Sequence, residues 1–230
     1  MIRLAFRGFL HYWKISICLC LGIALASSIL TGSLFVGDSV EQTLRNAASQ
    51  RIGSVGSALL AGDRFFTSDF ARKIKNSPAG NKSTALLNVP GTLSTPDKSK
   101  RLNRVNVYGI NNSFWELAST GKNIINITDD EFLAIGSAIA ERQNLKIGDR
   151  IIIKVEMPGH VSRDAPLSGE SGKLATISSE ITHIVKPQSG GHFSLQANQS
   201  AALNIFVPLK KLQEEISKEN RVNVILSSKT

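Results

Sequence analysis

The sequence predicts an α+β protein in which one N-terminal transmembrane helix precedes a mixed α+β domain. The first observation is an uncharged run at residues 15–36, ISICLCLGIALASSILTGSLFV. The second is that helix-period and strand-period segments interleave after it without the regular β-α alternation of a parallel sheet. The third is an overall composition of 42% hydrophobic and 20% charged residues, which is ordinary for a chain with a globular core.

The uncharged run is long enough to cross a membrane. At about 1.5 Å per residue it spans roughly 33 Å as a helix, against a hydrocarbon core of about 30 Å. Arg3, Arg7 and Lys14 precede the run, and Asp38 and Glu41 follow it. Since Lys and Arg are retained on the cytoplasmic side, we expect residues 1–14 inside, residues 15–36 in the cell (inner) membrane and residues 37–230 in the periplasm or its extracytoplasmic equivalent.

A cleaved signal peptide is the alternative interpretation of this N-terminus, with Ala24-Leu25-Ala26 as the cleavage site. The apolar run continues ten residues beyond Ala26, which favours a permanent anchor. Cys18 and Cys20 follow Ile17 and Leu19 rather than small residues, so a lipoprotein signal is rejected. The chain has no other cysteine, and the outer domain therefore has no disulfide framework.

The basic charge of the chain is mild and dispersed. The formal net charge is +9, and the excess of Lys and Arg over Asp and Glu is six beyond residue 37. The charges lack the interleaved aromatic residues of a nucleic-acid platform, so we expect no nucleic-acid partner. One short run, Lys98, Lys100, Arg101 and Arg104, predicts a solvated loop, with anionic lipid headgroups as the main alternative.

Periodicity and turn residues predict the elements of the first half in order. Asp38 and Glu41 fit a capping box that opens a stalk helix, with apolar residues at helical spacing as far as Ile52. A strand at residues 57–61 and a helix at 68–75 follow. Strands at residues 84–89 and 105–110 then flank Pro90 and the lysine-rich loop.

The second half begins with an amphipathic helix at residues 131–144, carrying Phe132, Ile135 and Ile139. Gly148 and Asp149 then turn the chain, Gly148 by adopting a conformation closed to other residues and Asp149 by bonding the amides of the turn. The remaining predicted elements are a strand at 151–155, a long surface loop at 157–173, a strand at 176–185, a strand at 204–207, a helix that begins at Pro208 with Leu209, Leu212 and Ile216 buried, and a last strand at 221–226.

The sequence offers no catalytic constellation. His11, His160, His183 and His192 are its only histidines, and none has a second His or Cys at zinc spacing. Residues 169–173, GESGK, fail as a nucleotide loop because Leu167 stands where the first Gly is required and Leu174 where Ser or Thr is required. We therefore predict no catalytic, cofactor-binding or metal-binding residues, and no enzyme.

Several stretches in order resemble one family. The start LAFRGFLHYWK, the apolar helix and LTGSLFVGDSV resemble the opening of FtsX-like permease subunits of ABC transporters. The part that follows resembles the MacB-like periplasmic core domain, which such permeases carry between their first and second membrane helices. The matching stretches are VYGINNSFWELA at 107–118, SRDAPLSG at 162–169, GHFSLQANQ at 191–199, AIAERQNLKIGDRIIIKV at 138–155 and NIFVPLKKLQEEI at 204–216.

The resemblance implies a membrane subunit without chemistry of its own. In such transporters a separate ATPase hydrolyses ATP on the cytoplasmic side, and membrane helices pass that motion to the outer domain. The implied partners are the membrane, this ATPase and a second permease copy, and the implied substrates are a lipid, lipoprotein, peptide or drug.

The sequence departs from the family in the number of membrane helices, since family permeases have four or more and this chain has one. We expect either the N-terminal part of a longer or split permease, or a free-standing anchored domain. The chain would then act in export or mechanotransmission once later helices complete it. The alternative is a single-pass anchored binding module without transport activity.

Overall fold

The computed structural model describes residues 12–62, 64–75, 82–119, 125–127, 131–157, 174–196 and 200–228. The chain separates into two compact units, Met1–Ala47 and Ala48–Thr230. An apolar helix and a sheet-rich domain with short helices make up the described parts, and this confirms the predicted α+β class.

The helices and strands are named here in chain order. They are α1 (Trp13–Ile52), β1 (Val55–Leu60), β2 (Phe66–Thr67), α2 (Ser68–Lys75), β3 (Ser83–Ser94), β4 (Arg101–Ile110), α3 (Asn112–Ala118), β5 (Ala134–Gly136), α4 (Ser137–Gln143), β6 (Arg150–Glu156), β7 (Leu174–Glu180), β8 (His183–Val185), β9 (Asn204–Pro208), α5 (Leu209–Glu215), β10 (Arg221–Val222) and β11 (Val224–Ser228), with a 3-10 turn at Pro187–Ser189.

Helix α1 contains the predicted membrane segment and continues well beyond it. In the part of the chain that the structure describes, it is the helix long and apolar enough to cross a membrane. Its large apolar side chains are exposed, as a surface that faces lipid would be; Leu19, for example, is 66% exposed. The boundaries of the membrane segment at residues 15 and 36 stay predictions.

The predicted start of a separate stalk helix at Asp38 is wrong, because this residue lies inside α1. Glu41 pairs with Arg45 one turn further on, at 2.6 Å from Oε1 to a guanidinium nitrogen. An acidic residue four positions before a basic one supports a continuous helix as readily as it fits a cap. The capping pattern was therefore ambiguous.

Within the described residues, nine strands form one sheet in the order β1-β11-β3-β4-β9-β5-β8, with β6 paired to β3 and β7 paired to β6. The pairs β4–β9 and β5–β8 are parallel, and the other pairs are antiparallel. A separate two-stranded sheet joins β2 and β10. In the antiparallel pair of β1 and β11, Val55 lies opposite Ser228, so the start of β1 and the end of β11 lie side by side.

Strand β3 is longer than predicted because it continues through Pro90. One of its edges pairs with β11 at residues 83–86 and with β6 at residues 91–94. In the gap between them, the side chain of Asn223 donates to Asn88 O at 2.7 Å and accepts from Asn88 N at 2.8 Å. The backbone nitrogen of Pro90, two residues further on, faces the same gap. Proline has no N–H to donate, and no strand pairs with β3 in this gap to require one.

The sheet has an apolar core on each face. Leu87, Val107 and Val207 point to one face, together with side chains of α4 and α5. Leu86, Tyr108 and Phe206 point to the other, where Phe114 and Trp115 of α3 cover them. Helix α3 was not predicted from the sequence.

Two predicted elements have different structures. Residues 131–144 were predicted as one helix, but 134–136 form strand β5 between β8 and β9, and only the second part is helical. Phe132, Leu133 and Ile135 are all buried, and such a continuous apolar run suits a strand that is covered on both faces.

Residues 176–185 were predicted as one strand, but the chain breaks after Glu180, so that β7 pairs with β6 and β8 with β5. Of the predicted loop at 157–173, only Met157 lies within the described residues.

The predicted turn at Gly148 and Asp149 is confirmed. Gly148 has φ +93°, in the region that favours glycine. A side-chain oxygen of Asp149 accepts from Lys146 N at 2.8 Å, and Gly148 N donates to Ile181 O at 2.9 Å. These contacts hold the connection between α4 and β6 against the end of β7.

Candidate functional site

A cationic groove lies on the sheet face that helix α3 covers further along. Residues that alternate with the buried Leu93 of β3 point to this face, and Thr92 there lies between Asn103 of β4 and Lys154 of β6. Because neighbouring strands are about 4.8 Å apart, β4 and β6 flank β3 with about 10 Å between them. Small residues of β3 therefore form a floor, and longer side chains form two walls around a cavity of ≈ 560 Å³.

A β-bulge places Arg104 in the groove. Val105 pairs with Gly91 and Asn103 with Thr92, so Arg104 is an extra residue without a partner on β3. It has φ +58°, unusual for a residue other than glycine. The bulge lets Asn103 and Arg104 both face outward while Val105 returns to the core at 0% exposure. The backbone thus adopts an uncommon conformation where it adds a cation to the groove.

Among the described residues, four cations line the groove: Lys98, Arg101, Arg104 and Lys154. Glu156 is the carboxylate in this described lining, which gives it a net charge of +3. Across the described ranges, none of the four cations takes part in an ion pair. Arg101 Nε donates to Asn103 Oδ1 at 3.1 Å, which orients the guanidinium while its other N–H groups stay available.

The residues of the basic run at 98–104, in and after the hairpin turn between β3 and β4, do not all face the groove. Lys100 lies outside the groove, because its Nζ donates to Asn144 O at 3.1 Å, where helix α4 ends. Asp97 is engaged within the turn itself. Hydrogen bonds from the side chains of Ser99 and Thr95 lower the pKa of Asp97 to about 2, so it is ionised at neutral pH. The run therefore supplies both groove cations and structural contacts.

The histidines do not form a common site in the described residues. His183 is exposed and its Nδ1 lies 3.0 Å from Thr182 Oγ1. His192 is half-buried, with Nε2 at 3.5 Å from Ser137 Oγ. Burial, and then the charge of Arg51, lower the pKa of His192, and the charge of Glu141 opposes them.

The other sequence candidates give no site either. His11, His160 and the GESGK stretch at 169–173 lie outside the described residues. No group of three or more His, Cys, Asp or Glu side chains is placed to hold a metal ion in the ranges that the structure covers. The groove is therefore the candidate binding site among the described residues. The sequence predicted no binding residues and did not indicate this site.

Comparison with known proteins returned structural similarities. No protein-family model matches the chain, and no curated protein matches it. The chain is similar to the crystal structure of the periplasmic region of MacB from Actinobacillus actinomycetemcomitans, at 13% identity and a TM-score of 0.48 over 78% of this chain and 77% of that one. It is also similar to the extracellular domain of the ABC-type transporter YknZ from Gram-positive bacteria, at 10% identity and a TM-score of 0.45 over 76% of this chain and 84% of that one.

Proposed function

We propose that this chain is the membrane-anchored, extracytoplasmic part of an ABC-transporter permease subunit, working in export or mechanotransmission with a separate ATPase. The observation that carries the proposal is the pairing of Val55 with Ser228. A domain inserted between two successive membrane helices needs its entry and exit side by side. Residues opposite each other on antiparallel strands have Cα atoms only about 5 Å apart.

Two of the stretches that resemble the MacB-like periplasmic core domain support the same proposal, because they meet in the core. Residues 107–118 form the end of β4 and helix α3, and residues 204–216 form β9 and α5. Strands β4 and β9 pair in parallel. A Cβ on Gly109 of the first stretch would lie 3.0 Å from Leu212 Cδ2 of the second, so the two segments pack as one unit.

The N-terminal basic residues and the exposed apolar helix support the membrane topology of the proposal. An impermeant maleimide tests it in intact cells, using a chain with Cys18 and Cys20 replaced by Ser. We expect Ser99→Cys, in the β3–β4 turn, to be labelled from outside. Lys14→Cys, at the predicted inner boundary, should react only after permeabilisation. The reverse pattern would contradict the topology.

The ATPase partnership is tested by purification from the native membrane. We expect the native complex to contain an ABC ATPase and to show vanadate-sensitive ATP hydrolysis. Residues 1–230 expressed by themselves should neither hydrolyse ATP nor retain that ATPase, because the roughly 14 residues on the inner side are far below the ~800 Å² per partner of a standard interface. A native preparation without an ATPase would instead favour the single-pass binding module.

A further inference from the structure

The geometry points to the cationic groove as a binding site for a phosphate-bearing ligand. The inference goes beyond the transporter role and does not depend on it, because it rests on the side chains of the groove alone. Its volume of ≈ 560 Å³ lies within the range of about 300–1,000 Å³ that small-molecule sites occupy. Three of its cations come from the basic run at 98–104, and the pairing of β3 with β6 adds Lys154 from a distant part of the chain.

The positive charge of the groove favours a negatively charged ligand. Arg101 and Arg104 stand on one wall and Lys154 on the opposite wall, with the hydroxyl groups of Thr92 and Ser94 in the floor between them. Cations that have no carboxylate partner in the described residues repel each other, and a multiply charged anion between the walls removes that repulsion. Among the described residues, a net positive charge is therefore left for a ligand to balance.

Phosphate fits this donor set better than a single carboxylate. A guanidinium presents parallel N–H groups that match two phosphate oxygens, and a lysine adds a point charge. Asn103 holds Arg101 by accepting from Nε, which leaves the terminal nitrogens of the guanidinium for the ligand. Donors on both walls can bind different oxygens of one phosphate group or of two linked ones, which one carboxylate cannot satisfy.

The shared chemistry has two sources, a soluble phosphate compound or a lipid headgroup. Leu174, at the β7 side of the groove, is 56% exposed and supplies an apolar contact next to the cations. A headgroup with its glycerol and first methylene groups would use this contact, whereas a soluble phosphate would not. Replacing Leu174 by Ser separates the two sources.

The test uses the full chain in phosphatidylcholine nanodiscs and measures the binding of inorganic pyrophosphate by calorimetry at about 50 mM salt, where screening is weak. We expect binding that weakens as salt is raised. The double variant Arg101→Gln/Lys154→Gln should bind at least about tenfold more weakly, because it removes a charged donor from each wall. Arg104→Asn is a second variant, chosen because Asn tolerates positive φ better than most residues.

The control double variant is Lys100→Gln/Lys186→Gln, which removes the same charge outside the groove. It should change the affinity by less than about twofold, because neither ammonium group lines the groove. Equal losses in both double variants, or no binding of either pyrophosphate or dihexanoylphosphatidylglycerol, would overturn the proposal. If the chain binds dihexanoylphosphatidylglycerol and Leu174→Ser weakens that binding, the ligand is a lipid headgroup. If the chain binds pyrophosphate but not the lipid, the ligand is a soluble phosphate.

Discussion

Gly53, the residue directly after helix α1, tests how closely the chain packs against the end of helix α3. It has φ +65°, and its N–H donates to Ser49 O at 2.9 Å. A Cβ at this position would lie 2.5 Å from Leu117 O and 2.7 Å from Ala118 O. Both are backbone atoms at the end of α3, where Leu117 O also accepts from the N–H and hydroxyl of Ser54 at 2.8 and 2.9 Å.

Replacing Gly53 by Ala therefore adds two costs to the folded state. The left-handed conformation costs about 1–2 kcal/mol for a residue with a Cβ. The collision with backbone, which cannot rotate away as a side chain does, costs about 1–3 kcal/mol more, the usual range for overpacking. A total of about 3 kcal/mol lowers the melting temperature of a domain of this size by about 6–12 °C.

Gly62→Ala is the matched control. Gly62 has a similar φ of +61°, but nothing lies within 4 Å of its Cβ position. Only the conformational cost applies, and the melting temperature should fall by about 2–8 °C. The fluorescence of Trp115, which is 1% exposed, follows domain melting in the full chain, with Trp13→Phe removing the other signal. A melting temperature for Gly53→Ala equal to that of Gly62→Ala would refute the contact with α3.

Two further predictions concern the α4–β6 turn and acid stability. Gly148→Val should lower the free energy of unfolding by roughly 1–3 kcal/mol, from backbone strain alone, because nothing lies within 4 Å of its Cβ position; an unchanged denaturant midpoint would contradict the positive φ. His192 has a folded pKa below its ordinary 6.5, so the unfolded chain takes up the proton first as the pH falls. Its contribution to stability is complete above pH 6.5 and decreases below it, and His192→Gln should show a smaller loss of melting temperature between about pH 7.5 and 5.5 than the native chain; equal losses would exclude this origin.

Local patterns predicted those elements that local physics decides. The helix at 68–75 and the helix after Pro208 follow from turn residues and periodicity, and both occur where predicted. The glycine turn at 148 is also local, since a positive φ and an Asp that bonds its neighbours involve only a few residues. The apolar part of helix α1 is the extreme case, because its length and lack of charge need no knowledge of the rest of the fold.

Elements decided by distant contacts were not predicted correctly. Strand β5 is short and completely buried, and only its pairing with β9 and β8 distinguishes it from the start of a helix. Strand β3 passes through Pro90 because the edge there is bonded by the side chain of Asn223, which lies far along the sequence. No window of neighbouring residues contains that information.

The groove shows the same division between local and distant information. The basic run at 98–104 supplied Lys98, Arg101 and Arg104, but its alternation gave no sign of the bulge that turns Arg104 outward. Lys154 belongs to β6 and becomes a neighbour only through the register of β3 with β6. Lys100, within the same run, binds the end of α4 instead. Sequence alone could identify the charge but not the site.

The antiparallel pairing of β1 with β11 also determines how the domain responds to force. Val55 and Ser228 lie opposite each other at one end of this pair. A load that separates them breaks the hydrogen bonds between β1 and β11 one after another, beginning at that end, whereas a load that moves them together does not pull these two strands apart. This strand pair is therefore mechanically weak to separation of Val55 from Ser228 and resistant to their common displacement. A force sensor attached at these two points should record unzipping at low force rather than the high-force rupture of strands in shear.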